Sequence, residues 1–319
     1  MFPIYSSDHL IDRAIDIARE NRKRRVAVAA AQDVDVIDAV SQANADGFID
    51  GVLVGDKEKI ITLADENNIP LDQLEIIDEP DIIKAAHTAV KLASEGEVDA
   101  LMKGFLPTSA LLKVVLDKKY DLRGKNTLSH CAVLDIPGYH KLLNLTDGGM
   151  VVKPDQSQKL QILENAVLIG YALGLTPVKI AVSSAFDKPK ERIPHTLSDM
   201  DNLIPNVMSS MKDVVVQCSI PFDMATDKRA AKLAGCAGPV CGEVDIFLVD
   251  SIEECNIIAK SLIQFAGAVF AGVIVGAKVP VSLVSRSDTV KNKKTSLALA
   301  AVVSDYYEKT GIMKGENNE

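Results

Sequence analysis

The feature that most limits what this chain can fold into is its rhythm. Short β-branched runs alternate with amphipathic stretches whose ends carry helix start and stop residues. Runs at 25–30, 51–54, 100–103, 129–134, 178–183, 214–217, 246–249, 272–275 and 281–284 read as strands. Between them, Ser7-Asp8 can cap a helix over 10–21. Asp33 opens a helix to Ala45 ahead of Gly47, and Asp56 opens one to Glu66. Glu79-Pro80 leads into a helix that ends at Ser94, before Gly96. Thr108-Ser109 can cap 110–116, Pro154-Asp155 opens a long helix to Leu173, and 252–266 stops at Gly267. The last run, at 281–284, gives way to Ser285-Arg286-Ser287-Asp288 and then to an apolar, helical-looking 297–303. A βαβα alternation covers its strands with helices on both faces, so the fold class is α/β. Aromatics make up only 4% of the chain and Trp is absent, which leaves aliphatic side chains to fill that core.

A length of 319 residues exceeds one simple core and suggests two domains. The turn-rich 120–126 (YDLRGKN) is one candidate boundary, and Lys278-Val279-Pro280 is another. A net charge of −9 disfavours nucleic acid and anionic membranes as partners. A phosphorylated ligand would need a local pocket built from a few Lys and Arg residues. The five cysteines (Cys131, Cys218, Cys236, Cys241, Cys255) are odd in number and form no CxxC pair. Buried free thiols in a reducing cytoplasm are expected, without a disulfide framework or a structural zinc. The opening MFPIYSSDHLIDRA lacks the basic-then-apolar layout of a signal peptide. The apolar stretch 265–277 is shorter than the roughly 20 residues of a membrane helix and reads as a helix end, a turn and a buried strand. The polar tail 314–319 is expected to fray.

Four strand-end loops could carry chemistry. No GxGxxG follows a strand, and GxxxxGK[ST], HExxH and GxSxG are all missing. In the first loop, LMKGFLPTS (101–109), Lys103 ends a strand just before a helix start. An ammonium beside free helix N–H groups suits a phosphate, and the alternative is a solvated Lys103 with Thr108 as a simple cap. In the second, Asp147-Gly148-Gly149 can form a close backbone approach or an ordinary tight turn. In the third, the glycines of 235–242 shape a wall, and Asn256 and Lys260 on the next helix share one face. The fourth brings Ser285, Arg286 and Asp288 to a strand–helix junction. There a guanidinium can fork onto a phosphate, a hydroxyl can donate to developing charge and a carboxylate can accept a proton. The bland alternative is that Asp288 caps the helix and pairs with Arg286.

In this order the loops resemble the phosphate acetyl/butyryltransferase family, most closely its butyryl branch. The resemblance rests on LMKGFLPTS (101–109), LSH (128–130), IPG (136–138), LTD (145–147), QILENAV (161–167), KSL (260–262), FAG (265–267) and GAKVPVSLVSRSD (276–288) with SLALA (296–300). It implies a two-domain fold of the isocitrate/isopropylmalate dehydrogenase-like type with an interdomain cleft. Residues 1–126 and 282–319 would form a discontinuous first α/β domain, and 127–281 the second. It also implies a cytoplasmic homodimer or larger homo-oligomer that moves a short acyl group between coenzyme A and inorganic phosphate. No metal or tightly bound cofactor is expected. In this resemblance Ser285 and Arg286 match the family's Ser-Arg pair, and Asp288 is the nearest carboxylate for the thiol proton. Lys103, Thr108, Ser109, Lys113, Asp147, Asn256 and Lys260 would bind the two substrates, with Lys113 standing near a position where relatives carry Arg. The chain departs from the family at Cys218-Ser219-Ile220-Pro221 (relatives often have Asp-Gly-Pro), at Glu253-Glu254-Cys255-Asn256 (often Glu-Ala-Gly-Asn) and at Gly148-Gly149 (often Ala-Ala). Other readings are an acetyl-preferring enzyme, a dehydrogenase on the same fold, which would need nucleotide-binding residues not found here, and a coenzyme A-binding relative without turnover.

Overall fold

The computed structural model describes residues 3–189 and 191–312, so the tail at 314–319 lies outside the described residues. In chain order the elements begin with α1 (Ser7–Glu20), β1 (Arg24–Ala29), α2 (Val34–Ala45), β2 (Ile49–Gly55), α3 (Lys57–Glu66) and β3 (Glu75–Asp78). Next come α4 (Ile82–Ser94), β4 (Ala100–Lys103), α5 (Thr108–Val115), β5 (Ser129–Asp135), β6 (Leu143–Thr146), α6 (Gln156–Ala172) and β7 (Val178–Ser183). Short helices α7 (Pro194–Ser198) and α8 (Ile204–Ser210) precede β8 (Val214–Ile220), and α9 (Phe222–Thr226) and α10 (Lys228–Leu233) follow it. The chain closes with β9 (Ile246–Leu248), α11 (Ile252–Ala266), β10 (Val269–Val275), β11 (Val281–Ser282) and α12 (Val290–Thr310). These elements fall into two compact units, Ser7–Lys125 with Phe270–Glu319, and Met1–Ser6 with Asn126–Val269.

In the first unit the strand order is β3-β2-β1-β4-β11-β10. β1 runs parallel to both β2 and β4, and β11 is parallel to β4 but antiparallel to β10. Helices cover β1 on both faces, so Val26, Ala27, Val28 and Ala29 are all buried and the strand reads as an unbroken apolar run. Thr289 caps α12 through Asn292 N–H, and Gly311 ends it in the left-handed region. Leu297 to Val303 of that helix are buried. Fully buried Arg24 ties its far end down, 2.6 Å from Asp305 and 2.5 Å from Glu308. A guanidinium taken wholly out of water requires such partners.

The order β2-β1-β4 contains a change of direction. β1 feeds α2 and β2 on one side, while β4 feeds α5 on the other. The carboxyl ends of β1 and β4 thus meet at a switch point of the strand order, the place where ligands bind in open α/β sheets. The turn after β4 is packed against the turn after β1. Gly104 N–H donates to Ala29 O at 3.0 Å and Phe105 N–H to Ala30 O at 2.6 Å. A Cβ at Gly104 would lie 2.1 Å from Ala30 O, so no other residue fits there.

In the second unit the order is β5-β6-β9-β7-β8, parallel except for the β5–β6 pair. A capping box between Asp155 and Gln158 opens α6. The expectation of free thiols alone fails in this unit. Cys236 and Cys241 form a disulfide with Cα atoms 6.1 Å apart, while Cys131, Cys218 and Cys255 remain free. Gly238 reverses the intervening loop with φ +139°, a conformation that other residues rarely adopt. A Cβ there would stand 2.8 Å from Gln217 Oε1, so the loop lies close against β8. Among the described residues no helix is long and apolar enough to cross a membrane.

Candidate active site

Lys103 ends β4 with its side chain buried. Its Nζ donates to Gly104 O at 3.2 Å and Leu106 O at 3.5 Å, and no carboxylate pairs with it among the described residues. Burial pushes this ammonium below the usual lysine range. The positive charges of Arg286 and Lys293 add to that effect, and Asp33 opposes it. Thr108 and Ser109 follow at the start of α5. The expected cap is not made: α5 begins at Thr108, two residues earlier than anticipated, with Pro107 at the N-cap and no side-chain cap bond. Proline fixes its φ near the helical value and leads directly into the first turn, which moves Thr108 from cap to first helical residue. The leading N–H groups of α5 thus keep their positive end uncapped beside Lys103. Lys113 lies in the last turn of α5, exposed, on the same face as Ser109.

The junction after β11 forms a compact turn. Asp288 N–H donates to Ser285 O at 3.1 Å, and the Asp288 carboxylate accepts Ser285 N–H at 2.5 Å and the Asn292 side-chain amide at 3.4 Å. Lys293 Nζ donates to Asp288 O, and it also stands 3.5 Å from Asp35. The cap of α12 is Thr289, not Asp288. Ser285 Oγ lies 3.1 Å from Ser287 Oγ. Arg286 does not pair with Asp288; its guanidinium rests 5.1 Å from the centre of the Phe105 ring. That contact joins the 285–288 turn to the Lys103–Ser109 corner, so Lys103, Thr108, Ser109, Ser285, Arg286 and Asp288 belong to one region of one unit.

In the other unit Asp147 follows a cis peptide bond from Thr146. Its carboxylate is buried and accepts four backbone N–H groups: His130 at 3.1 Å, Gly149 at 2.9 Å, Met150 at 3.1 Å and Val151 at 2.9 Å. Burial raises its affinity for a proton, and those donors oppose the rise. Asp147 therefore shapes the loop from within. The loop meets the start of α11, where Asn256 and Lys260 are exposed on one face and Ile252 N–H donates to Val152 O at 3.0 Å.

Three comparisons with known proteins bear on these loops. The family model described as "Phosphate acetyl/butaryl transferase" matches residues 79–301. The chain belongs to this family. It is 36% identical to a phosphate butyryltransferase of Clostridium acetobutylicum over 90% of this chain and 95% of that one. It is 35% identical to a phosphate acetyltransferase of Thermotoga maritima over 92% of this chain and 99% of that one. Among solved structures, a branched-chain phosphotransacylase from Enterococcus faecalis V583 superposes with a TM-score of 0.78 at 29% identity, covering 88% of this chain and 99% of that one.

Every candidate residue named from the sequence falls within the stretch matched to the phosphate acetyl/butaryl transferase family. Other residues of the region are silent in the sequence pattern. Phe105 lay within the quoted LMKGFLPTS but has no titratable group. Lys59, whose ammonium stands 5.9 Å from the Phe105 ring, lies in the first turn of α3, far along the chain from both the 101–109 and 285–288 stretches. Gln32, in the turn after β1, is buried with its Oε1 unpartnered and pressed toward Gly55, where a Cβ would be 2.3 Å away. Only the signal that β1, β2 and β4 are adjacent parallel strands could have gathered them.

Two departures from the family pattern turn out to touch. A Cβ on Gly148 would stand 2.9 Å from His130 Nδ1 and 3.1 Å from Cys255 Sγ. Cys255 is buried, and burial pushes its thiol far up, which marks it as packing rather than chemistry. Gly148 and Cys255 are fitted to each other across this contact, the glycine leaving room beside the thiol. Gly148→Ala is expected to cost about 1–3 kcal/mol by overpacking. It should cost less in a Cys255→Gly background, with part of the penalty remaining against His130. Equal costs in both backgrounds, measured by denaturant unfolding, would separate the two positions.

Proposed function

We propose that this chain is a phosphate acyltransferase of the butyryltransferase type. It moves a four-carbon or branched short acyl group directly between coenzyme A and inorganic phosphate in a ternary complex. The observation that supports this best is unbalanced positive charge at the carboxyl edge of the first unit. Lys103 is buried against carbonyls, and Arg286 lies on a ring instead of a carboxylate. Two cations without anionic partners among the described residues, beside an uncapped helix start, suit a phosphate.

In this reading a phosphate oxygen attacks the thioester carbonyl. The carbon–sulfur bond breaks, the acyl phosphate forms, and the departing thiolate takes up a proton. In reverse, the thiolate attacks the acyl phosphate. Arg286 stabilises the tetrahedral oxyanion or the phosphate, and Ser285 donates to the reacting carbonyl. Asp288 exchanges the thiol proton while its other lone pairs hold the Ser285 turn. Lys103, Thr108, Ser109 and Lys113 bind phosphate groups. Asn256 and Lys260 hold coenzyme A, and Asp147 supports the loop next to them. Coenzyme A and phosphate act as substrates, with no resident cofactor.

The finer points of the resemblance belong to the same proposal. They are an isocitrate dehydrogenase-like two-domain arrangement (1–126 with 282–319, and 127–281), a cytoplasmic location and a homo-oligomer. Ile257 and Phe265 of α11 are exposed apolar surface that a second copy would cover. Release of free coenzyme A thiol from butyryl-CoA, isobutyryl-CoA and acetyl-CoA, with and without inorganic phosphate, tests the reaction. Phosphate-dependent release, fastest with the four-carbon substrates, is expected. Thiol release that ignores phosphate, or none with any acyl-CoA, would overturn the proposal.

A further inference from the structure

We infer that Phe105 is a positioning residue for phosphate: its ring face orients the Arg286 guanidinium while leaving that group's N–H fork unspent. The inference rests on the phosphate-acyltransferase reading of the same region. Arg286 makes no ion pair among the described residues, and the carboxylate two residues along, Asp288, is committed to Ser285 N–H and Asn292. The described contact of the guanidinium is the Phe105 ring, 5.1 Å away. A carboxylate partner would consume the donors that a phosphate needs and cancel the charge that attracts it. An aromatic face attracts the cation through its quadrupole and does neither.

The ring is placed by a rigid turn. Phe105 N–H is bonded to Ala30 O at 2.6 Å, Leu106 N–H to Gly104 O at 3.0 Å, and Gly104 is packed too tightly against Ala30 for any side chain. Phe105 itself is 42% exposed, so it contributes little to a core. An aromatic held rigidly at a ligand edge, partly open to water, with Arg286 and Lys59 drawn to it, serves the cations instead.

The test compares Phe105→Leu and Phe105→Tyr, alone and combined with Arg286→Ala. Phe105→Leu is expected to raise the KM for phosphate about fivefold, with the KM for acyl-CoA and the Tm unchanged. Phe105→Tyr keeps the ring and should stay near wild type. In the Arg286→Ala background Phe105→Leu should add nothing, because Phe105 acts through that guanidinium. Calorimetric titration with inorganic phosphate gives the same comparison without turnover. It separates this inference from the reaction itself: weaker phosphate binding in Phe105→Leu supports the inference even if no acyl-CoA is turned over. An unchanged phosphate affinity in a folded Phe105→Leu protein, or a full fivefold loss in the Arg286→Ala background, would overturn it.

Discussion

Lys103→Met should lower kcat/KM for phosphate by about two orders of magnitude, the loss of one charged hydrogen bond worth about 3 kcal/mol. Methionine keeps the length and apolar stem of the side chain and removes only the ammonium. The same variant has a signature in stability. In wild type without ligand, burial and the nearby Arg286 and Lys293 charges depress the lysine below its usual value of 10.5. The unfolded chain therefore holds that proton to higher pH than the folded chain does. Stability must rise with pH through the window between the depressed value and 10.5, where the unfolded state binds more protons. The destabilisation is fully present below that window. Lys103→Met removes the group and with it this alkaline rise. Phosphate bound at Lys103 opposes the depression, so saturating phosphate should flatten the rise in wild type and leave the variant unaltered. Thermal unfolding from about pH 8 to 10.5, with and without phosphate, measures both effects. A wild-type-like phosphate KM in Lys103→Met, or a wild-type pH slope, would remove Lys103 from the anion site.

How much of this region the sequence could disclose follows from how far its parts stand apart along the chain. The LMKGFLPTS corner was readable because a strand end, a glycine and a helix start fall within nine residues. The 285–288 turn was readable for the same reason, and the pattern of strands and caps carried most of the α/β architecture. β3 and β6 were missed because neither shows an unbroken β-branched run: β3 (EIID) is a half-exposed edge strand with charged ends, and β6 (LNLT) alternates with polar residues between a turn and the Asp147 loop. The short helices α7 to α10 lack a full amphipathic repeat, and α12 starts earlier than its apolar run because Lys291 to Lys294 fill its first turns. Phe105 carries no charge and Lys59 looks like any solvated lysine. Their meaning comes only from β2, β1 and β4 lying side by side, which is long-range information that local spacing does not hold. The Cys236–Cys241 pair escaped because a five-residue separation becomes bondable only when Gly238 reverses the loop.

Arg286→Ala should lower turnover by about 10²–10³-fold, the scale of losing one preorganised donor to a developing oxyanion, about 2.7–4 kcal/mol. Arg286 is exposed and its one described side-chain contact is with Phe105, so the Tm should hold within a degree or two. Substitution by Lys distinguishes charge from geometry. A lysine restores the positive charge near Lys103 but has a single rotating ammonium in place of a planar fork, and it stacks less well on Phe105. If the fork matters, Arg286→Lys recovers only a small part of the lost rate. Its phosphate KM should recover further than its kcat, because ground-state attraction needs charge alone while the tetrahedral state needs donors in fixed directions. Full recovery by Lys would reduce Arg286 to an electrostatic anchor. Near-normal turnover in Arg286→Ala would transfer the oxyanion role to Lys103 and the N–H groups of α5, the remaining positive groups at that edge of the unit.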